Sequence, residues 1–364
     1  MRRLSLTMTL LLALGLAAQQ PEREQKTPTG PQEEFRLRVA VEMVTAPLVV
    51  LDARGEYIYD LTRSEIQILD NGVPQQITNF ELAEQPISLV ILLDTSQTVK
   101  PLLDRLRQSG ILFTSYIMGQ FGEAAVVTFD SEVILRQEFT SDVDEITKAV
   151  ARIQPGGNET RLADALDLAV NLLAARSQDR RPVIVAVTEP RNSGSAIPIG
   201  EPLRLAQLAG ISIYTVALSR VQADLLRRPE DTPVRDSPYP PGVFPRPPIP
   251  GQPETPGTEA QRQYARVDLG RAIEALVRTT QGSVKGNVLE VYAQGTGGLS
   301  YRPFSRGTFE QAINLIGQDL HNQYLVSYRP SNRSQRGFHR IQIRVSRRGV
   351  SIRTRPGYYV GPPQ

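Results

Sequence analysis

ISLVILLDTSQT, residues Ile87–Thr98, is an almost unbroken apolar run that stops abruptly at a carboxylate. A short run of this kind reads as a strand buried on both faces, the pattern of a parallel sheet rather than of a half-solvated antiparallel one. The strand leads directly into Asp94-Thr95-Ser96-Gln97-Thr98. A carboxylate and two hydroxyls thus stand at alternate positions on the loop leaving the strand's C-terminal end, where ligands bind in open α/β sheets. An all-oxygen set suits a hard divalent cation, Mg²⁺ first and Mn²⁺ or Ca²⁺ as alternatives.

Outward from this stretch, strands alternate with helices. AAVVTFD, PVIVAVT and ISIYTVAL read as buried strands, and VILRQEF as a more exposed one. Val99–Met118 has the apolar spacing of a helix. DVDEITKAVARI reads as a helix capped by Ser141, with Asp144 and Glu145 in its first turn. RLADALDLAVNLLAA is amphipathic, EPLRLAQLAG ends at Gly210, and helices are expected again at Asp268–Thr280 and Thr308–Leu320. The alternation predicts a doubly wound, mostly parallel sheet flanked by helices, an α/β fold. Eleven prolines between Pro229 and Pro256 interrupt it. Proline removes backbone donors, so about 221–261 is expected to be an extended Pro-rich insertion, solvated rather than a ligand for a partner.

Both flanks are strand-rich. On the N-terminal side, IQIL, Asp70-Asn71-Gly72 and QQITNFEL read as a hairpin. The C-terminal side carries QYLVSYRP, FHRIQIRVS and VSIRTRPGYYV. Each block is too small to stand alone comfortably. The two are expected to pack together as a small β-sandwich-like module, with the α/β domain inserted between them. The division expected is a signal peptide at 1–18, a linker at 19–34, an N-terminal β block at 35–84, the α/β domain at 85–320 and a C-terminal β block at 321–364.

MRRLSLTMTLLLALGLAAQQ has a positive start, a short apolar run and a small-residue cleavage site, the pattern of a secretory leader. The run is too short to span a bilayer comfortably, so an integral membrane protein is not expected. The chain has 364 residues, a net charge of +3, no Cys, no Trp and two His. Disulfides, thiol catalysis and Cys-based zinc sites are therefore excluded. A secreted chain without cysteine points to a bacterial envelope protein, secreted or periplasmic.

Two further loops stand where a cation at the sheet's edge would need ligands: Gly156-Gly157-Asn158-Glu159-Thr160 and Thr188-Glu189-Pro190. Ser96 and Thr98 would ligate directly. Asp94 would contribute charge through water, Thr160 an oxygen and Glu189 a second carboxylate. The alternative is that Asp94 and Thr160 merely cap the helices that come after them.

The whole run resembles the von Willebrand factor type A domain and its metal-ion-dependent adhesion site, with the Asp-x-Ser-x-Ser/Thr signature at Asp94, Ser96 and Thr98. It departs from that pattern at Glu189, where the family usually has Asp, and at Pro190. The segments LVVLDARGEYIYDLTRSEIQILDNGVPQQITNF, GTGGLSYRP, INLIGQDLHNQYLVSYRP and GFHRIQIRVSRRGVSIRTRPGYY resemble the flanks of secreted bacterial proteins abundant in acidobacteria that carry this domain. The resemblance implies cation-dependent binding or adhesion to a protein ligand that supplies an acidic side chain. The alternative is a metal-independent envelope scaffold that keeps only the fold.

Arg329–Arg355 holds nine Arg and no acidic residue. A one-sided basic strand face could bind an anionic envelope polymer, but more often it is a solvated face that protects a sheet edge. No nucleic-acid module is recognisable. His321 and His339 lack metal spacing and read as structural. No base–nucleophile pair is visible, so the chain reads as a binding protein rather than an enzyme.

Overall fold

Every residue of β5 (Ile87–Asp94) is buried, because the strand lies in the interior of a six-stranded sheet with helices on both faces. The computed structural model describes residues 43–218 except Gln178, then Ile273, 288–302, 306–332 and 334–360. These all fall within one unit, Val39–Gln364. The expected leader, linker and Pro-rich insertion lie outside the described residues, as does the helix expected at Asp268–Thr280 apart from Ile273.

β5 pairs in parallel with β6 (Glu123–Phe129) on one side and β8 (Arg181–Thr188) on the other. Beyond β6, β7 (Val133–Thr140) closes the edge antiparallel. Beyond β8, β9 (Ser212–Ala217) and the two-residue β10 (Ser300–Tyr301) continue in parallel. β10 was not foreseen from the sequence. Leu89, Ile91 and Leu93 face one apolar layer with Phe113, Ile146 and Ile316. Val90 and Leu92 face the other with Leu166, Val170 and Leu203. Each aliphatic side chain so buried contributes roughly 1.5–3 kcal/mol, which anchors the end of β5 rigidly.

The first layer contains α1 (Leu103–Arg107), α2 (Gly110–Leu112) and α3 (Val143–Ala151). The second contains α4 (Leu162–Ala174), α5 (Glu201–Leu208) and α6 (Val288–Gly295). α7 (Arg306–His321) returns to the first. Two helix expectations need correction. Val99–Met118 is not one helix: a 3₁₀ turn at Lys100–Leu102 precedes α1, and Phe113–Met118 is π-helical. The break has one local and one tertiary cause. Ser109 Oγ turns back onto the Leu106 carbonyl at 2.6 Å, competing with the helical ladder. Gly110 also lies so close to α3 that a Cβ there would be 2.8 Å from Thr147 Cα. The cap of α3 is Asp142, not Ser141: its carboxylate accepts the Asp144 and Glu145 amides.

The flanks form two four-stranded antiparallel sheets. One has the order β13 (Ser351–Thr354), β1 (Val44–Leu51), β11 (Tyr324–Tyr328), β4 (Ile77–Leu82). The other has the order β14 (Gly357–Val360), β12 (Gly337–Val345), β2 (Ile66–Asp70), β3 (Val73–Gln75). Leu48, Ile68, Val326, Ile341 and Ile343, drawn from both sheets and both ends of the sequence, share one core. The expected hairpin is shorter than read. Asn71 and Gly72, with φ of 50° and 81°, turn β2 into β3. The chain then crosses, and β4 pairs with β11 in the opposite sheet. Pro74 lacks a donor, which suits β3 to the sheet's edge.

Buried polar groups join the sandwich to the α/β layers. Arg353 of β13 donates to the Asp319 carboxylate of α7 and to the Gly297 carbonyl. Tyr214 donates to the other Asp319 oxygen at 2.6 Å. Arg181 donates to the Ala83 and Leu320 carbonyls and to Gln323. Arg355 donates to the Gln207 carbonyl near the C-terminal end of α5. The basic face expected over Arg329–Arg355 is therefore smaller than the sequence suggests. Arg353 and Arg355 are buried in this joint, and Arg347 pairs with Asp60 and Glu65. Arg340 and Arg344 remain exposed on β12. His339 is buried in the sandwich, with Nδ1 against Asp70 at 2.8 Å.

Candidate metal centre

The order β10-β9-β8-β5-β6-β7 has the chain leaving β5 toward β6 and later returning to β8 on its other side. Asp94, the last residue of β5, therefore stands at the topological switch point, where adjacent loops diverge and leave a crevice. Its carboxylate is fully buried. One oxygen accepts the Ser96 amide at 2.9 Å. The other accepts the Thr188 hydroxyl at 2.8 Å and the Glu189 amide at 3.5 Å. Burial pushes the Asp94 pKa above the ordinary carboxylate value. Hydrogen bonds from Ser96 and Thr188 oppose the shift, and the charge of Glu189 adds to it. A buried carboxylate without an opposite charge is costly.

Two hydroxyls, one on the first loop and one on the second, are also buried. Ser96 Oγ has no hydrogen-bond partner of standard geometry, although it lies close enough to Asp94 to help hold that charge. Thr160 Oγ1 has no partner among the described residues. The backbone of Thr160 is fixed, since its amide donates to Ser193 Oγ and its carbonyl accepts the Ser193 amide, each at 2.9 Å. Its hydroxyl does not cap α4. That work falls to Asn192, whose side-chain oxygen accepts the Ala163 amide at 3.0 Å from the loop after β8. An unsatisfied buried hydroxyl costs on the order of 1–3 kcal/mol, and the Thr160 hydroxyl, on a loop tied to the first by the Gly156–Thr95 and Gln97–Gly157 main-chain bonds, joins Ser96 and Asp94 in a set of oxygens of the kind a hard cation takes. Thr98 is half-buried on the same first loop, and Glu189 is buried at the start of the third. Among the described residues no cluster of three or more His, Asp or Glu could hold a metal. A cation here depends on hydroxyl oxygens, and the residues present fit one.

Several residues that shape the crevice were not singled out from the sequence. Thr188 and Asn192 act as above. Asp130 follows β6 as Asp94 ends β5, and it accepts the Thr95 hydroxyl at 2.6 Å and the Gly157 amide at 2.9 Å. The signal was available: AAVVTFD, like ISLVILLD, is a buried run ending in a carboxylate.

A sequence model of the von Willebrand factor type A domain matches residues 89–191. No curated protein matches the chain in sequence. Among solved structures, an aerotolerance-related membrane protein from Bacteroides fragilis is similar at 15% identity over 64% of this chain and 98% of its own, with a TM-score of 0.40. The conserved hypothetical protein BatB from Bacteroides thetaiotaomicron is similar at 14% identity over 64% and 99%, with a TM-score of 0.38. The VWA domain of SpRpn10 is similar at 17% identity over 38% and 79%, with a TM-score of 0.29. The parallel sheet, its two helical layers and the crevice at the end of β5 are thus built around a von Willebrand factor type A domain.

Proposed function

We propose that this chain is an extracytoplasmic binding protein whose type A domain holds a divalent cation and presents it to a carboxylate of another protein. The observation that carries the reading is a pair of buried hydroxyls on the first two loops, Thr160 with no partner among the described residues and Ser96 with none of standard geometry, together with the buried carboxylate of Asp94. Asp94 supplies charge. Ser96 and Thr98 supply oxygens from the first loop, Thr160 from the second and Glu189 from the third. The bound cation, Mg²⁺, Mn²⁺ or Ca²⁺, supplies an electrophilic position that an acidic ligand completes. The protein's own part is to hold these oxygens in place and keep them dry. Thr188 and Ser96 orient the Asp94 carboxylate, and Asn192 and Ser193 fix the backbone around Thr160. This is coordination, not turnover.

The leader pattern at 1–18 supports a periplasmic or secreted location, and no described helix is long and apolar enough to cross a membrane. A second reading, a metal-independent envelope scaffold, is favoured by the three hydrogen bonds that Asp94 already accepts.

Thermal unfolding of the mature chain in millimolar Mg²⁺, Mn²⁺ or Ca²⁺ against EDTA separates the two. Ligand at about 100 times its dissociation constant adds roughly 2.7 kcal/mol. In a domain of this size that is a rise of roughly 5–10 °C in Tm. The gain should vanish in Asp94→Ala. Equal melting with cation and with EDTA selects the scaffold.

A further inference from the structure

We propose that Asp130 and Thr95 form a positioning pair that sets the first cation loop against the second, and so fixes the separation of the Ser96 and Thr160 hydroxyls. The inference rests on the reading of this crevice as a cation site and adds residues that do not themselves ligate.

Thr95 lies between Asp94 and Ser96, and its hydroxyl turns instead to Asp130 Oδ2 at 2.6 Å. Asp130 is nine-tenths buried, and both its oxygens are engaged. Oδ1 accepts the amides of Ser131 at 2.7 Å, Gly157 at 2.9 Å and Glu132 at 3.4 Å. Burial alone would raise its pKa, but the Thr95 hydroxyl and these amides together hold it below the ordinary carboxylate value. A carboxylate occupied in this way is a strut rather than a free ligand.

The strut reaches both loops. On the first side it holds Thr95, whose amide also donates to the Phe129 carbonyl. On the second side it holds Gly157. Its own carbonyl accepts the Arg161 amide, next to Thr160. Main-chain bonds reinforce the joint: the Gly156 amide donates to the Thr95 carbonyl at 2.8 Å, and the Gln97 amide to the Gly157 carbonyl at 2.9 Å. The strut also accounts for the glycines. A Cβ on Gly156 would lie 1.9 Å from Asp130 Oδ2, and one on Gly157 2.1 Å from Ser131 Oγ. Gly156 therefore leaves the space that Asp130 occupies, and Gly157 the space of Ser131, whose amide the same carboxylate holds.

Groups that orient metal ligands without touching the metal typically account for 10–100-fold in affinity. The test is Mn²⁺ binding to the mature chain by titration calorimetry, with Tm in EDTA measured alongside. The variants are Asp94→Ala, Thr95→Val, Thr95→Ser and Asp130→Asn. Thr95→Val removes only the hydroxyl, and its Kd should rise 10–100-fold while it remains folded at the titration temperature. Thr95→Ser, which restores the hydroxyl, should return to within about threefold of the unsubstituted protein. Asp130→Asn keeps an oxygen for the amides and offers Thr95 an N–H, so it should lose less than Thr95→Val. Should Thr95→Val bind as the unsubstituted chain does while Asp94→Ala does not bind, the positioning role is wrong and the cation site stands. Equal loss in Thr95→Val and Thr95→Ser also overturns it, because the hydroxyl is then not the cause. No Mn²⁺ uptake by the unsubstituted chain overturns the cation reading and this inference with it.

Discussion

Asp94 receives hydrogen bonds from Ser96, Thr188 and Glu189, yet no cationic side chain pairs with it among the described residues. Its pKa is raised by burial, so in the metal-free protein its charge is a liability. A folded-state value above the unfolded one means that the associated stability is fully present below pH 3.8. It is lost as pH rises through the raised folded value. Asp94→Asn keeps the shape and removes the charge. In EDTA at pH 7 it should melt above the unsubstituted protein, and the difference should widen upward from about pH 4. With saturating Mg²⁺ the order should reverse, because the variant has lost the charge that holds the ion. Calorimetric scans across pH with and without EDTA check both signs, and a variant less stable than the parent in EDTA at pH 7 would falsify the first. Asp70 shows the opposite arrangement. It accepts the Tyr328 and Tyr358 hydroxyls at 2.8 and 2.7 Å and faces His339, all inside the sandwich core. Asp70→Ala strands the two tyrosine hydroxyls, and urea unfolding should show a loss of about 1–3 kcal/mol for each.

At the scale of elements, the second loop and the end of α5 contrast two uses of glycine. Gly210 has φ of 67° and open space where a side chain would go, so Gly210→Ala costs only the left-handed strain, about 1–2 kcal/mol. Gly156→Ala drives a methyl group into the Asp130 carboxylate. It should lower Tm and also abolish the cation-dependent gain, whereas Gly210→Ala should lower Tm and keep that gain. Melting both variants with Mg²⁺ and with EDTA distinguishes them. The elements also show what the sequence made legible. β5, β6, β8 and β9 were readable because burial on both faces writes an apolar run, and the Asp-Thr-Ser-Gln-Thr loop because its strand ends so sharply. The pieces of Val99–Met118 were not readable. Their apolar spacing is helical throughout, and the break joins a single serine turned back onto the Leu106 carbonyl to Gly110 meeting Thr147, a contact between two elements. Thr160 was legible as a candidate oxygen but not as an uncapped one, since the residue that relieves it, Asn192, lies on another loop.

At the scale of the whole molecule, alternation along FHRIQIRVS puts Ile341, Ile343 and Val345 on one face and Arg340, Gln342 and Arg344 on the other; the two isoleucines are buried and the three polar residues exposed, while Val345 is half-buried. Alternation could not show that Arg353 and Arg355 turn inward, because their partners, Asp319 and the Gln207 carbonyl, belong to the α/β layers. The same joint tests whether the two parts of the protein unfold together. Arg353→Met removes the guanidinium from Asp319 and leaves that carboxylate buried with the Tyr214 hydroxyl and the Gln323 amide as its side-chain donors among the described residues. Breaking a buried pair from one side costs about 3–5 kcal/mol. If sandwich and type A domain melt as one unit, calorimetry should show a single transition moved downward as a whole. If they melt separately, the change should split it into two. The joint and the candidate metal centre also lie at opposite ends of β8, Arg181 at its start and Thr188 at its end. Well-separated sites with no shared partner contribute independently. The rise in Tm on adding Mg²⁺ should therefore be as large in Arg353→Met as in the unsubstituted chain. A smaller rise would mean that the sandwich, through α7 and Asp319, helps to set the geometry of the crevice at the far end of the sheet.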